Sequence, residues 1–259
     1  MKYRQQPEDI LKQIGIYDPD DIDLELIAYS LGAEVKVASL SGCEGNIIGT
    51  SERAIITING SAELPRQRFS LGHEIGHWVN DKGKNLTYRC SAEDMRQYQI
   101  RRNDFRQHKE VRANKFSAEL MMPRYLFGPR LADCPIIFGS VKMLANDFRS
   151  SITSTVIRMV EVTEFPCMLV CWSSLGTRRW FIRSEIVPEE VWPLRQLFKP
   201  KEALIQIDTQ EVDADKWIDR GNACDYTLNE SVFFNGYDYL SLLWWGNEGQ
   251  LMEMLEAMQ

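Results

Sequence analysis

The chain has 259 residues, 44% of them hydrophobic, and a formal net charge of −7. This length and composition fit one large or two modest domains with a buried core, and the negative charge argues against nucleic-acid binding. There is no run of about 18 apolar residues and no apolar signal region at the N-terminus, so we expect a cytoplasmic protein without a membrane span. The six cysteines form no C-x-x-C pair, which predicts reduced thiols.

The first 60 residues predict two helices followed by three short strands. Residues 7–32 carry apolar residues at helical spacing, with an interruption at Pro19. Asp21 is placed to cap the second helix, which Gly32 then ends. The runs 34–38, 45–49 and 54–59 are β-prone, and the last ends at an Asn-Gly turn signal.

The helix predicted after Pro65 carries the motif H-E-x-x-H. His73 and His77 lie four residues apart, so their imidazoles share one helix face and can hold one zinc ion. Glu74 lies beside them and can take a proton from a zinc-bound water. Two of the three histidines of the chain fall at this spacing around a glutamate, which makes the signal specific. A core helix with two hydrogen-bonded histidines is the competing structural interpretation.

Two glycines on the same helix need an explanation. Gly72 and Gly76 each lower helix propensity by about 1 kcal/mol relative to Ala. We therefore expect another element, or a metal, to approach the helix closely at these positions.

The third metal ligand must come from the residues that follow. A metzincin would have His at position 83, which is Gly83 here. A carboxylate from a later helix is the other common solution, and the candidates are Glu93, Glu110 and Glu119. A helix predicted over 110–120 places Glu110 at the edge of its apolar stripe and Glu119 on the opposite, solvated side. A carboxylate that faces the core needs a partner, so Glu110 is the favoured ligand.

Two neighbours of Glu110 are further site candidates. Asn114 lies one turn on and can orient a metal-binding side chain. His108 is a rival ligand or a contact to the substrate or transition state, and is otherwise an ordinary surface histidine. The basic segment 81–108 predicts a lid over the site or a solvated linker, and Ser91 with Asp94 is a helix-start signature within it.

The chain resembles the ImmA/IrrE metallopeptidase family over residues 20–165. Residues 66–77 read RQRFSLGHEIGH and residues 110–123 read EVRANKFSAELMMP. The family carries R-Q-R-F-x-x-x-H-E-x-G-H and then E-x-x-A-N-x-F-A-x-x-L-L-M-P. The sequence departs from these patterns at Ser117, where Ala is usual, at Met121, where Leu is usual, and in the long basic segment between the motifs.

The resemblance implies an α+β fold, with a zincin-like domain of helices and a small sheet followed by a smaller β-rich α+β domain. One zinc ion would be held by His73, His77 and Glu110, with Glu74 as the general base. Zincins usually place the strand before the active helix, here 54–59, at the sheet edge where an extended substrate pairs. The implied substrate is one regulatory protein, such as a DNA-binding repressor, whose cleavage would switch transcription in a stress or mobile-element response.

We assign residues 1–164 to the metallopeptidase domain and residues 165–259 to a β-rich sensory or partner-binding domain. The second is acidic, because residues 185–259 hold five Lys or Arg against fifteen Asp or Glu. The first includes a helix pair at 138–162 whose pattern also fits a helix-turn-helix. Its second helix lacks the basic and amide residues of a DNA reader, so we interpret the pair as structural packing.

Beyond Pro166 the sequence predicts mostly strands. Hairpins are expected around 174–177 and 235–236, a further strand at 203–207, and an amphipathic helix at the C-terminal end. The tryptophans of this region are expected to fill its core rather than line a ligand pocket.

Two functions stay open on the sequence alone. The first is a zinc-dependent endopeptidase that cleaves a regulatory protein. The second is a non-proteolytic regulator, or a toxin–antitoxin-type partner-binding protein, with a structural or vestigial zinc site. The complete motif favours the first, because a structural site has no need of Glu74. Either way, Mn²⁺ or Fe²⁺ could replace zinc at such a site.

Overall fold

The computed structural model describes residues 5–81, 86–96, 105–195, 206–218 and 223–257. These form two compact units. The first contains the described residues up to Phe127 together with Asn146–Ser151, and the second contains Gly128–Ala145 and the described residues from Ile152 onward. Helices and two sheets confirm the predicted α+β class.

Helices of the first unit lie mainly where the sequence predicts them. They are α1 (Pro7–Gln13), α2 (Leu24–Ser30), α3 (Leu64–Asp81) and α4 (Phe105–Met121), and α5 (Arg124–Ala132) begins in this unit and continues into the second. The predicted cap of α2 is wrong by two residues. Asp21 ends a short 3₁₀ helix, and the carboxylate of Asp23 accepts hydrogen bonds from the amides of Glu25 and Leu26. Gly32 then ends α2 with φ at +87°.

The first sheet has the strand order β1-β3-β2-β4. Its strands are β1 (Ala33–Ala38), β2 (Gly45–Gly49), β3 (Ala54–Asn59) and β4 (Leu86–Cys90). β1 and β3 are parallel, and the other pairs are antiparallel. The prediction of an edge strand at 54–59 is wrong, because β3 pairs on both sides and β4 takes the edge next to β2. The order of strands in a sheet depends on pairing between distant residues, which local sequence patterns do not predict.

α3 is the central helix of the first unit. It lies on the sheet face that buries Ile47 and Ile56, and the indole Nε1 of Trp78 donates to the carbonyl of Leu31 at 2.9 Å. Its other face packs on α4 at Gly72 and Gly76. A Cβ at Gly76 would lie 3.2 Å from the Cα of Ala113 in α4, so the glycines permit nearly direct contact of two backbones. The predicted close approach at these glycines is therefore confirmed.

The second unit is built on a five-stranded antiparallel sheet with the order β6-β5-β9-β8-β7. The strands are β5 (Cys167–Ser173), β6 (Arg178–Arg183), β7 (Gln206–Asp213), β8 (Thr227–Phe234) and β9 (Asp238–Trp244), and the helices are α6 (Phe138–Asp147), α7 (Ile152–Val162) and α8 (Glu248–Ala257). Both predicted hairpins form. Part of the predicted strand 203–207 lies outside the described residues.

The core of the second unit contains several tryptophans, as predicted, although Trp192 is 51% exposed. Trp172, Trp217 and Trp245 are buried in one apolar cluster, and the rings of Trp172 and Trp217 meet edge to face at 5.5 Å. The amide of Phe138 donates to the hydroxyl of Ser231, which joins the start of α6 to β8. Most of α6 and all of α7 thus belong to the second compact unit, whereas the sequence assigns them to the domain ending at 164. That boundary remains a prediction.

No helix within the described ranges is long and apolar enough to cross a membrane.

Candidate metal centre

Three predicted site residues converge between α3 and α4. The Nε2 atoms of His73 and His77 are 3.0 Å apart. Oε2 of Glu110 lies 3.1 Å from Nε2 of His73 and 3.3 Å from Nε2 of His77. All three side chains are buried. Helical periodicity alone produces this arrangement, because the histidines occupy one face of α3 and Glu110 lies on the face of α4 that packs against it.

Cys90, one of the six cysteines for which the sequence predicts a reduced thiol, also belongs to the cluster. The sulfur of Cys90, at the end of β4, lies 3.6 Å from Nε2 of His77 and 3.8 Å from Oε2 of Glu110. The four ligand atoms of His73, His77, Cys90 and Glu110 all lie within 4.8 Å of one another. A buried group of this composition could hold a metal ion.

Asn114 fixes the orientation of His73. The amide Nδ2 of Asn114 donates to the carbonyl of Asp94 at 2.9 Å, so its Oδ1 faces the imidazole. Oδ1 lies 2.8 Å from Nδ1 of His73 and must accept a hydrogen bond from it. The proton of this ring therefore sits on Nδ1, and the lone pair of Nε2 points into the cluster. Metal-binding histidines are typically held in this way.

Glu74 is fully buried beside the cluster. Neither carboxylate oxygen makes a hydrogen bond of normal geometry among the described residues, although the Cys90 thiol lies near enough to lower the pKa of Glu74. Burial raises the pKa of Glu74 to about 7, although the neighbouring His73 acts in the opposite direction. The backbone of Gly45 covers this carboxylate, since a Cβ there would lie 2.8 Å from Oε1. An unpaired buried carboxylate is costly, and its position next to converging ligand atoms suggests a role in chemistry rather than in stability.

Electrostatics at the centre favour a bound cation. Burial raises the pKa of Glu110, but the adjacent side chains of His73 and His77 outweigh burial and hold that pKa well below its usual range. Burial and the nearby charges of Glu74 and Glu110 raise the pKa of the Cys90 thiol. Two carboxylates, two imidazoles and a thiol thus share a site closed to solvent, and a divalent cation would compensate their charge.

Tyr88 forms one wall of the site. Its ring stacks on His77 with centroids 4.5 Å apart and an interplanar angle of 20°. Its hydroxyl accepts a hydrogen bond from Lys109 and donates to Asp81 at 3.4 Å. Asp81, at the end of α3, also pairs with Arg112 of α4 at 3.3 Å. These contacts join β4 to both ligand-bearing helices.

The remaining sequence candidates lie apart from the cluster. Glu93 is exposed and Glu119 is half-buried, and neither belongs to the group of ligand atoms. His108 is half-buried, and no contact among the described residues joins it to the cluster. Ser91 and Asp94 exchange hydrogen bonds through their side chains and amides as expected, but only a 3₁₀ turn, Asp94–Arg96, follows them among the described residues. Gly83 and most of the segment expected to be a lid or linker, 82–85 and 97–104, lie outside the described residues.

The two inward side chains of β4, Tyr88 and Cys90, were not predicted as site residues from the sequence. In the sequence Leu-Thr-Tyr-Arg-Cys of residues 86–90, Tyr88 and Cys90 alternate with the exposed Thr87 and Arg89. This alternation of inward and exposed residues is the sequence pattern that could have predicted the strand. A run of five residues inside a polar segment was too short to predict as a strand.

Comparison with known proteins agrees with this site. Residues 30–158 match Peptidase M78, described as the IrrE N-terminal-like domain, and the match spans all four cluster residues. Among solved structures, a Mycobacterium tuberculosis transcriptional regulator is similar with a TM-score of 0.58 and 11% identity, over 92% of this chain and 85% of that one. At this identity the similarity concerns the fold. A search of curated proteins finds no significant match. Through residues 30–158, the chain belongs to the ImmA/IrrE family.

Proposed function

We propose that the chain is a zinc-dependent endopeptidase. His73, His77 and Glu110 hold the metal, and Glu74 acts as the general base. The observation that carries the proposal is the position of Glu74. Its unpaired, buried carboxylate lies next to three converging ligand atoms. A purely structural metal site would gain nothing from this carboxylate, whereas hydrolysis of a peptide bond needs a base.

The donor set fits zinc. Two neutral imidazoles and one carboxylate are a common catalytic ligand set for this metal. The hydrogen bond from His73 to Asn114 leaves Nε2 free to bind, as a metal site requires. Mn²⁺ and Fe²⁺ remain alternatives, because this ligand set accepts several divalent metals.

A metal at this site supplies Lewis-acid chemistry, polarising the scissile carbonyl and lowering the pKa of water. Glu74 accepts a proton from the attacking water and returns it to the leaving amine. His73 and Asn114 keep the ligand geometry fixed during this exchange. Burial of the centre excludes bulk water and strengthens each of these electrostatic interactions.

The edge strand β4 is the proposed docking site for the substrate backbone. β4 pairs with β2 on one side, and no described strand pairs with its other side. An extended peptide can add there as a further strand. β4 also carries Tyr88 and Cys90 into the site, so a peptide along its edge would run past the cluster. This assignment replaces the expectation that strand 54–59 pairs with the substrate.

Membership of a peptidase family implies a protein substrate. We propose that it is one regulatory protein, of the DNA-binding repressor type, cleaved inside the cell. Cleavage would then change transcription, for example in a stress response or in control of a mobile element. The acidic residues of the C-terminal region would contribute to choosing this partner.

A second function is favoured by one observation, the nearness of the Cys90 sulfur to the ligand atoms. Four protein ligands are typical of structural zinc sites. A non-proteolytic, partner-binding regulator or toxin–antitoxin-type protein would have such a site.

Three variants separate these functions. Glu110→Ala should lose most of the zinc of the purified protein, whereas Glu119→Ala should keep one equivalent. Glu74→Gln should keep its zinc and lose proteolysis. The substrate can be found by comparing new protein N-termini in lysates of the parent cells treated with the wild-type or Glu74→Gln protein. Equal zinc in both alanine variants contradicts the ligand assignment, and cleavage by Glu74→Gln contradicts the mechanism.

A further inference from the structure

Cys90 has no part in the proposed reaction, yet its sulfur faces the metal ligands. It is 1% exposed and lies at the end of a strand whose preceding inward residue, Tyr88, stacks on His77. The strand therefore presents Tyr88 and Cys90 to the same site. Cys43 is also buried in the first unit, but it is not part of the cluster of ligand atoms.

The distances around the sulfur fit a tetrahedral metal site. With bonds of about 2.3 Å to sulfur and 2.0–2.1 Å to nitrogen or oxygen, tetrahedral angles separate sulfur from its neighbours by about 3.6 Å. The observed separations from Cys90 are 3.6 Å to His77 and 3.8 Å to Glu110. The separations among the two histidines and Glu110 are 3.0, 3.1 and 3.3 Å. The sulfur thus lies at tetrahedral separations from His77 and Glu110, and all four ligand atoms lie within 4.8 Å of one another, a group that could hold one metal ion.

We infer that Cys90 is a fourth protein ligand, and that the resting metal centre is a closed site of His73, His77, Glu110 and Cys90. The inference rests on the proposed function, because it assumes a metal at this site. On binding, the thiol becomes a thiolate and its proton passes to solvent. The sulfur then occupies the coordination position that a catalytic site keeps open. The peptidase is latent in this state, and release of Cys90 is the step that activates it.

This inference reconciles two features of the site. Glu74 is equipped for hydrolysis, and the ligand set resembles that of a structural centre. Both follow if the thiolate holds the fourth position until catalysis begins.

Cobalt(II) tests the inference without a substrate. A thiolate bound to Co²⁺ gives a strong charge-transfer absorption in the near ultraviolet, whereas nitrogen and oxygen ligands give only weaker bands in the visible. Metal-free protein is titrated with Co²⁺ as wild type, Cys90→Ser and Cys43→Ser. We expect one equivalent of Co²⁺ with the near-ultraviolet band in the wild type and in Cys43→Ser. Cys90→Ser should bind Co²⁺ with visible bands and lose the near-ultraviolet band.

The outcomes distinguish this inference from the proposed function. Visible bands without sulfur absorption in the wild type would overturn the role of Cys90 and leave the peptidase proposal intact. Retention of the sulfur band in Cys90→Ser would also overturn it. A wild type that binds no Co²⁺ contradicts both proposals. The wild-type spectrum is decisive even if Cys90→Ser folds poorly, and circular dichroism checks the folding of each variant.

Activity gives a second readout. Once a substrate is known, Cys90→Ser should cleave it faster than the wild type, because its fourth position is open to water. Slower cleavage by a folded, metal-loaded Cys90→Ser protein would contradict latency.

Discussion

Oδ1 of Asn114 accepts a hydrogen bond of 2.8 Å from Nδ1 of His73, and this contact decides which nitrogen of the ring faces the cluster. Asn114→Ala should therefore lower metal affinity, because His73 loses its fixed tautomer and ring orientation. Loss of such a partner typically costs about 10–100-fold in affinity. Competition with a chromophoric chelator measures the change.

Asn80→Ala is the matched control for this substitution. Asn80 lies on the same helix as the histidines, and its side chain donates to the carbonyl of Gly76 at 2.7 Å rather than to a ligand. Its affinity for zinc should stay within about threefold of the wild type, since no ligand changes orientation. Equal losses in both variants would show that the effect of Asn114 is a general destabilisation of the helices.

Gly72→Ala should destabilise the protein although Ala is the better helix former. The new Cβ would lie 2.5 Å from Oγ of Ser117 and 3.3 Å from its Cα. Overpacking of this kind costs about 1–3 kcal/mol, which exceeds the gain in helix propensity of about 1 kcal/mol. Thermal unfolding measures the difference. The double variant Gly72→Ala/Ser117→Gly should recover part of the loss.

Gly139→Ala should have the opposite effect on stability. Gly139 lies in α6, and a Cβ there would make ordinary contact with Ile137 at 3.5 Å. Because Gly139 lies in the first turn of α6, replacement by Ala should stabilise the helix by less than the roughly 0.5–1 kcal/mol of a mid-helix position. If Gly72→Ala behaved in the same way, α3 and α4 could not be packed as closely as the structure has them.

Gly45→Ala should impair catalysis through Glu74. The added Cβ would meet Oε1 of Glu74 at 2.8 Å and displace the carboxylate from its position beside the ligands. We expect zinc content to be retained and proteolysis to fall towards the level of Glu74→Gln. Zinc analysis and cleavage of the identified substrate are the two measurements.

Gly49→Ala controls for damage to the same strand. A Cβ at Gly49 would press on the ring of Trp78 at 3.0 Å and would not touch Glu74. This variant should lose stability by about 1–3 kcal/mol and, when folded and loaded with zinc, keep its proteolytic rate. Unchanged proteolysis in Gly45→Ala would refute the positional role of Gly45.

Glu230 should make the stability of the protein depend on pH. Burial raises the pKa of Glu230, while the hydrogen bond that Gln210 donates at 2.6 Å opposes the shift. The folded state therefore binds the proton more tightly than an unfolded glutamate, whose pKa is about 4.3. The resulting stabilisation is complete below about pH 4.3 and is lost as pH rises through the higher pKa of the folded state.

Glu230→Gln tests this pH dependence by removing the ionisable group. The melting temperature of the variant, relative to the wild type, should rise as pH increases above about 4.3 and then level off. Glu211→Gln, on the exposed face of the adjacent strand β7, is the matched control for a Glu-to-Gln change at the surface. A constant difference between Glu230→Gln and the wild type at all pH values would exclude the linkage.

Elements with a strong local signal could be predicted from the sequence. α3 and α4 follow from helical periodicity, and strands 45–49 and 54–59 have the predicted bounds. α5 was missed, because Gly128 and Pro129 within it weaken the helical signal. The position of β3 inside the sheet was also missed, since pairing order depends on contacts between distant residues rather than on local propensity.

The same distinction between local patterns and long-range contacts applies to the candidate site. His73, Glu74 and His77 share one motif, and Glu110 and Asn114 follow from the faces of a single helix. Cys90 comes from a different element, and it reaches His77 only because β4 pairs with β2 across the sheet. The spacing of residues along the chain does not predict this pairing of β4 with β2. The residues that helices contribute to the centre could therefore be predicted from the sequence, whereas Cys90, which a strand contributes, could not.

The glycines of α3 determine how rigid this centre is. With the backbones of α3 and α4 nearly in contact at Gly76 and Ala113, the gap between the helices cannot shrink further. The two histidines and Glu110 extend from these fixed backbones, so the width of their cage is set by main-chain atoms rather than by adjustable side chains. Helix packing, rather than the metal, therefore brings these three ligands together.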